Sequence, residues 1–256
     1  MATEGARLIG WGWLRDLRWP IGALMLSLDV IEDRRREGIG SRLLGELSAA
    51  ATGSADEIAT RVAEESEAGV FFARARGFVE RYRLYEFVLD LETYVDVEPL
   101  STDLDRLGIQ LTTLAAHDSE ELRRDLYALF IETVADVPTP DPPPATSYEQ
   151  WEAEMFGLST GDEISVLATH EQRPVAICHL SVSGETAWTE YTGVARGYRG
   201  RGLALAVKRE GIRLAHQRGV RFIRTENDTL NRAMIAINER LGFRRRPGRI
   251  RFGRPL

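Results

Sequence analysis

Two short segments of the chain place arginine and glycine in an order that suits the binding of an anion. Residues 35–40 read RREGIG, and residues 199–204 read RGRGLA. Each segment follows an apolar run typical of a strand and precedes a pattern typical of a helix. At such a turn the first backbone amides and the helix dipole favour negative charge. Arginine adds charge-assisted hydrogen bonds to phosphate, and phosphate binding is therefore the predicted chemistry.

The sequence that follows the second segment has its own order of elements. Apolar residues recur at helical spacing after residue 203, a short strand is predicted at 220–225, and an asparagine-rich turn follows at 226–231. A second helical pattern ends at Leu241, Gly242 and Phe243. Residues 188–243 thus predict a strand, a glycine turn, a helix, another strand and a final helix.

This order and the motif R-x-x-G-x-G/A resemble the cofactor half of the GCN5-related N-acetyltransferase (GNAT) family. The resemblance implies that acetyl-coenzyme A binds at the second turn. The implied cofactor-binding residues are Val194, Arg199, Gly200, Arg201, Gly202, Leu203, Ala204, Asn227 and Asn231. A dinucleotide fingerprint is disfavoured, because Leu43 and Leu205 stand where it needs a third glycine.

Two residues are implied to take part in acetyl transfer on the strand that leads into this turn. Glu190 stands where some family members carry a general base, and the period of two predicts that it shares a face with Trp188, Thr192 and Val194. A partly buried glutamate there would have a raised pKa and accept an ammonium proton. The alternative is a strand glutamate that faces solvent. The family also implies that the backbone amide of Val194 or its neighbour polarises the thioester carbonyl.

The residue expected to assist the leaving group differs from the family pattern. Many members carry a tyrosine four residues before the glycine of L-G-F, and this chain has Asn238. Asparagine cannot release a proton at neutral pH, but it can donate a hydrogen bond to a departing thiolate. Tyr191 and Tyr198 are candidate substitutes by proximity alone. Asn227 and Asn231 are either contacts to the pantetheine arm or, alternatively, a turn former and a helix cap.

The first copy of the motif lacks several of these features. No asparagine precedes its second predicted helix at 67–76, Ala73 stands in the tyrosine position, and one strand-like run at 6–14 precedes its first strand at 23–30. The prediction is an α/β fold of tandem GNAT-like units, each a mixed central sheet flanked by helices, with the first unit incomplete. Residues 1–98 form a truncated, non-catalytic unit in this prediction, and residues 99–256 form a complete domain.

A proline-rich stretch at 137–144 lies between two predicted helices of the second unit. In the family this segment borders the acceptor site, and acidic plus aromatic side chains there suit a cationic amine. The candidates are Asp136, Asp141, Tyr148, Trp151 and Glu152. A stiff linker explains the prolines equally well.

Composition narrows the function classes. The 256 residues are 43% hydrophobic, which suffices for one or two cores, and the net charge of -6 argues against nucleic acid as the main partner. The basic residues of 244–254 alternate with Ile250 and Phe252, which predicts a solvated strand face. The alternatives are a contact with the 3′-phosphate of coenzyme A and a contact with the other half of the chain. Cys178, the single cysteine, is expected to be buried. The four histidines show no metal spacing.

The sequence also bears on location and assembly. No apolar stretch is long enough to span a membrane, and the first residues lack the features of a signal peptide. A cytoplasmic bacterial protein is expected, as a monomer or a homodimer. The predicted function is transfer of acetyl from acetyl-coenzyme A to a small-molecule amine by direct attack. The alternatives are a non-catalytic acyl-coenzyme A binding or sensing module and, less consistent with the acidic balance, an arginine-rich nucleic-acid adaptor.

Overall fold

The computed structural model describes residues 1–16, 23–96, 104–117, 119–140, 145–156, 161 and 163–256. Asp141 and the predicted domain boundary between residues 98 and 99 lie outside these ranges. The strands are β1 (Ala2–Glu4), β2 (Arg7–Asp16), β3 (Ala23–Val30), β4 (Glu57–Ala63), β5 (Val79–Asp90), β6 (Ile109–Thr113), β7 (Val166–His170), β8 (Arg173–Ser183), β9 (Thr186–Val194), β10 (Phe222–Asp228) and β11 (Arg244–Pro255). The α-helices are α1 (Ile39–Ala51), α2 (Glu67–Ala75), α3 (Glu120–Val134), α4 (Tyr148–Phe156), α5 (Leu203–Gln217) and α6 (Arg232–Arg240).

The chain divides into two compact units that do not follow a single cut in the sequence. Unit 1 comprises Met1–Leu84, Pro140–Pro144 and Pro247–Leu256, and unit 2 comprises Tyr85–Thr139 and Ala145–Arg246. The fold is mixed α/β, as predicted. No α-helix of the described residues is long and apolar enough to cross a membrane.

Unit 1 has the strand order β1-β2-β3-β4-β11. Strand β3 runs parallel to β4, and the C-terminal strand pairs antiparallel with β4 along Arg249–Pro255. Its core combines residues of both helices with residues of the strands, among them Leu44, Ala73, Ile58 and Phe252. The short strand β1, which precedes the predicted first strand, was not expected from the sequence.

Unit 2 has the strand order β5-β10-β9-β8-β7-β6. Leu167 and Ile177 pack with residues of α3 and α4, whereas their neighbours Val166 and Cys178 pack with residues of α5. Because successive strand residues point to opposite faces, α3 and α4 lie on one face of this sheet and α5 on the other. Cys178 is buried as predicted.

One basic residue of the last strand is buried, contrary to the expectation from the sequence. Arg251 is 1% exposed, so the prediction of a solvated face is wrong for this position. Its Nη1 donates to the carbonyl oxygen of Phe252, and its Nη2 lies 3.8 Å from Oε1 of Glu57. Arg254 donates to Oγ of Ser48. These arginines contribute to the interior of unit 1.

Candidate functional site

The second glycine turn has the backbone geometry that an anion site needs. Strand β9 ends at Val194, a short 3-10 helix covers Arg196–Tyr198, and α5 begins at Leu203. Gly200 and Gly202 have φ angles of +73° and +78°, which glycine adopts without strain. Gly202 is the N-cap of α5, and no side chain caps the helix. The first amides of α5 therefore lack a side-chain acceptor, which fits a bound pyrophosphate.

Arg199 has a structural task within this turn. Its Nε donates to the carbonyl oxygen of Val194 at 3.1 Å, and its Nη2 lies 2.8 Å from Oδ2 of Asp136. Arg196 also pairs with Asp136, with Nε at 2.7 Å from Oδ2. The hydrogen bond from Arg196 lowers the pKa of Asp136 to about 2. The structure thus places Asp136 in an ion-pair cluster at the turn, where two arginines balance its charge.

Arg201 lies against the ring of Tyr198, and Tyr198 in turn contacts His170. Its guanidinium carbon lies 5.2 Å from the centroid of the Tyr198 ring. The hydroxyl of Tyr198 is 2.8 Å from Nδ1 of His170, at the end of β7. Gly108 leaves room for this imidazole, since a Cβ there would meet the ring at 3.3 Å. No sequence spacing signals a contact between residues 170 and 198, because it depends on the pairing of distant strands.

The first glycine turn reproduces this geometry in unit 1. Nε of Arg35 donates to the carbonyl oxygen of Val30 at 3.0 Å, five residues back as in the second turn. Gly38 caps α1 with a φ of +81°. Arg36 has a φ of +67°, at the position that Gly200 occupies in the second turn. Both segments singled out in the sequence therefore form the same turn.

A cleft is framed by two strands that pair only at their start. The parallel pairing of β9 with β10 joins Thr186–Trp188 to Phe222–Arg224, although β9 continues to Val194 and β10 to Asp228. Beyond these pairs, the hydroxyl of Thr225 donates to the carbonyl oxygen of Thr189 at 3.4 Å. The carboxyl ends of both strands thus lie next to the glycine turn, with backbone groups available to a ligand.

Strand β9 contains a bulge at Glu190. Tyr191 pairs with His179 and Thr189 pairs with Leu180, so Glu190 is an extra residue with no partner opposite. The bulge reverses the alternation, and the predicted shared face of Glu190 with Thr192 and Val194 is wrong. Glu190 is also exposed rather than partly buried, and its Oε1 accepts a hydrogen bond from Ser181.

Asn238 lies in the interior of unit 2. It is 0% exposed, and its Nδ2 donates to Oδ1 of Asn227 at 2.6 Å. Its own Oδ1 has no hydrogen-bond partner among the described residues. Asn231 is the N-cap of α6, and its side chain accepts a hydrogen bond from the amide of Met234 at 3.2 Å. The cap role considered for Asn231 is therefore present.

Asp228 is a buried carboxylate that the sequence analysis passed over as part of an asparagine-rich turn. It is the last residue of β10 and is 8% exposed. Oδ1 accepts a hydrogen bond from the amide of Leu230 at 2.8 Å, whereas Oδ2 has no partner among the described residues. Burial raises the pKa of this carboxyl above its ordinary value.

The residues predicted to line an acceptor site serve the packing of α3 and α4. Trp151 is 2% exposed and lies among aromatic rings. Glu152 accepts hydrogen bonds from Arg123 and from the hydroxyl of Tyr148, both at 3.1 Å. The hydroxyl of Tyr191 bonds that of Thr133 on α3, and burial raises the pKa of Tyr191 to about 12. Tyr191 is therefore a poor proton donor near neutral pH.

Comparisons with known proteins agree with this arrangement. Residues 122–243 match the model of the acetyltransferase (GNAT) family. A search of curated proteins finds no match. The crystal structure of a GCN5-related N-acetyltransferase from Sphaerobacter thermophilus is similar, with a TM-score of 0.79 and 18% identity over 96% of this chain and 76% of that one.

Two further structures span nearly the whole chain. A tandem GNAT protein from the clavulanic acid biosynthesis pathway has a TM-score of 0.69 and 20% identity over 99% of this chain and 81% of that one. The glucosamine N-acetyltransferase region of a fungal multi-domain GH3 β-N-acetylglucosaminidase has a TM-score of 0.74 and 16% identity, covering 97% of this chain and 32% of that one. At these identities the likeness establishes the fold.

Proposed function

We propose that the protein transfers acetyl from acetyl-coenzyme A to the amine of a small molecule, a proposal supported by the match of residues 122–243 to the acetyltransferase (GNAT) family. The observation that carries the proposal is the uncapped start of α5 at Gly202, beside the open ends of β9 and β10. These features do not identify the acceptor more closely than as an amine.

The residues of the glycine turn would hold the pyrophosphate of the cosubstrate. The amides at the start of α5 donate hydrogen bonds, and Arg201 adds positive charge from its place against the Tyr198 ring. Arg199 fixes the turn to β9 through its bond to Val194. Asn227, whose side chain accepts a hydrogen bond from Asn238, would contact the pantetheine arm at the end of β10.

When bound, acetyl-coenzyme A supplies an acetyl thioester. A backbone amide near Val194 would donate to the carbonyl oxygen, because β9 pairs with β10 only up to Trp188 and its later residues lack a ladder partner on that side among the described residues. The resemblance to the family assigns the acceptance of the amine proton to Glu190, but this side chain is exposed and hydrogen-bonded to Ser181. Asn238 would support the departing sulfur with its second N–H, since a thiol of pKa about 8.5 leaves tolerably as a thiolate.

The reaction is tested by following thiol release from acetyl-coenzyme A with a panel of small amines. The proposal expects one or more amines to raise thiol release well above the rate without acceptor, with acetylated product detected by mass spectrometry. Binding without transfer to any amine would overturn the enzyme assignment. It would favour a non-catalytic acyl-coenzyme A binding module, a function that the exposed position of Glu190 supports.

A further inference from the structure

We propose that Asp228 is a catalytic residue of this site: its Oδ2 binds the ammonium of a cationic acceptor and accepts the proton that must leave before attack. The inference rests on the proposed function and names both the general base and the charge of the acceptor. Its starting observation is a carboxylate that is 8% exposed, with one oxygen lacking a hydrogen-bond partner among the described residues.

The position of Asp228 in β10 assigns it to the face on which an acceptor would approach. Arg224 of the same strand lies against the Trp188 ring, with its guanidinium carbon 5.4 Å from the centroid. Trp188 pairs with Ser181, which shares a face with Ile177 of the α3 cluster. By strand alternation, Asp228 lies on the same face as Arg224. Asn227, which binds Asn238 of α6, points to the opposite face.

This face is distinct from the face that carries the glycine turn's helix. Helix α5 packs with Cys178 and Leu180, whereas α3 reaches β9 through the hydroxyls of Thr133 and Tyr191. An acceptor at the open end of β10 on the α3 side would meet Oδ2 of Asp228. A cosubstrate held at the start of α5 would lie in the cleft between the strands.

The state of the two carboxylate oxygens favours a ligand with N–H donors. Oδ1 is used by the amide of Leu230, which fixes the side chain at the turn before α6. A buried carboxylate oxygen without a partner is costly to desolvate, most of all when it is charged. An alkylammonium provides both a counter-charge and donors. The site therefore suits an amine that arrives protonated better than it suits a neutral amide or alcohol.

Asp228 is better placed for this task than Glu190. Burial brings the pKa of Asp228 closer to neutral, which makes it a stronger proton acceptor. Glu190 is exposed and hydrogen-bonded to Ser181. Other titratable groups on this face include Glu226 and Arg224 of β10, Glu190 and Tyr191 of β9, and His179 of β8, which pairs with Tyr191. Glu86 of β5 is also on this face, and its Oε1 lies 2.8 Å from Nε of Arg224. Arg224 is thus ion-paired with Glu86.

The ammonium of the acceptor has three protons, and two of them leave during the reaction. One proton of the ammonium moves to Oδ2 of Asp228, and the freed lone pair on nitrogen forms a bond to the acetyl carbon as the carbon–sulfur bond breaks. Coenzyme A leaves as a thiolate, and a second proton then passes from nitrogen to sulfur through solvent. The amide nitrogen keeps the third proton, and Asp228 then releases its proton to water.

The test compares Asp228→Asn with Glu226→Gln, a matched change two residues earlier on the same face. Asparagine keeps the oxygen that the Leu230 amide needs, so the turn is preserved. Asp228→Asn should lower kcat/KM at least about 100-fold, abolish the acidic limb of the pH profile of kcat/KM, and leave acetyl-coenzyme A affinity within a factor of two. Glu226→Gln should keep kcat/KM within a factor of three.

A second measurement does not depend on turnover. In protein with carbon-13-labelled aspartate, the carboxyl signal that Asp228→Asn removes should titrate above 3.8, the ordinary value for this group. The proposal is overturned if that signal titrates at or below 3.8, or if Asp228→Asn retains activity while Glu190→Gln or Glu226→Gln loses it. Failure of the unmodified protein to bind acetyl-coenzyme A would instead overturn the proposed function, and this proposal with it.

Discussion

Nδ2 of Asn238 donates a 2.6 Å hydrogen bond to Oδ1 of Asn227, and this joins helix α6 to the end of strand β10 inside unit 2. The donor residue is 0% exposed. Where many family members carry a tyrosine hydroxyl, this chain has an amide whose bond holds a second asparagine in place. The position therefore contributes to the architecture of the cleft as well as to its chemistry.

Removal of the Asn238 amide should destabilise unit 2. Asn238→Ala leaves Oδ1 of Asn227 without its donor, and we expect the free energy of unfolding to fall by about 1–3 kcal/mol. Urea unfolding measures the change. Asn227→Ala is the partner variant, and the double variant should lose less than the sum of the two single losses because both remove one shared bond. Strictly additive losses would show that the bond contributes nothing.

Tyr198 should strengthen binding of the pyrophosphate part of the cosubstrate. Tyr198→Phe keeps the ring against Arg201 but removes the hydroxyl that meets His170, so Arg201 loses a fixed platform. We expect coenzyme A to bind about threefold to tenfold more weakly, which corresponds to roughly 0.7–1.4 kcal/mol. Binding of pantetheine, which lacks the pyrophosphate, should be unchanged.

The contact between His170 and Tyr198 has its own control. His170→Asn retains a polar atom near the position of Nδ1 and should preserve most of the coenzyme A affinity, whereas His170→Phe should match Tyr198→Phe. Equal weakening of coenzyme A and pantetheine by these variants would indicate general damage to the fold and contradict the proposed orientation of Arg201.

Lys208, the only lysine of the chain, should make stability depend on pH. It is 2% exposed, and burial lowers its pKa from 10.5. Between the lowered pKa and 10.5 the unfolded chain binds more protons than the folded one, so stability should rise with pH across that window. Lys208→Met removes the group and should flatten this rise. Thermal unfolding across the alkaline range measures it.

Arg232→Met, which removes an exposed cation at the start of α6, serves as the control for Lys208→Met. It should leave the rise of stability with pH in place. An unchanged slope in Lys208→Met would mean that the amine keeps its ordinary proton affinity in the folded protein, contrary to its burial.

The C-terminal strand should stabilise unit 1 through its apolar side chains. Phe252 is 0% exposed and packs in the core of that unit. Phe252→Ala should lower the free energy of unfolding by about 3–5 kcal/mol, measured by denaturant titration. Val79→Ala, at a position 59% exposed, should change it little. Similar small effects of both variants would contradict the placement of β11 in this core.

Local patterns predicted several elements closely. The strand predicted at 23–30 and the helix predicted at 67–76 correspond to β3 and α2, and α5 begins at Leu203 directly after the glycine turn. These elements depend on apolar spacing and on glycine at positive φ, which are properties of neighbouring residues. The same local signals located both glycine turns.

Features that depend on distant pairing were not predictable in this way. The face of Glu190 was wrong because a bulge inserts one residue into β9, and alternation assumes an unbroken strand. The pairing of Arg249–Pro255 with β4, nearly two hundred residues earlier, leaves no local trace. The contact of His170 with Tyr198 depends on the pairing of distant strands, and the burial of Asp228 depends on the packing around the end of β10.

The central claim is that the second glycine turn binds acetyl-coenzyme A, and calorimetry of three proteins tests it most directly. A side chain at Gly200 meets no atom within 4 Å, and asparagine and aspartate tolerate its φ of +73° better than most residues. The unmodified protein and Gly200→Asn should bind with a stoichiometry near one, whereas Gly200→Asp should bind at least about tenfold more weakly, or roughly 1.4 kcal/mol, because its charge repels the pyrophosphate. Equal affinity for all three proteins, or no binding by the folded unmodified protein, would contradict the account.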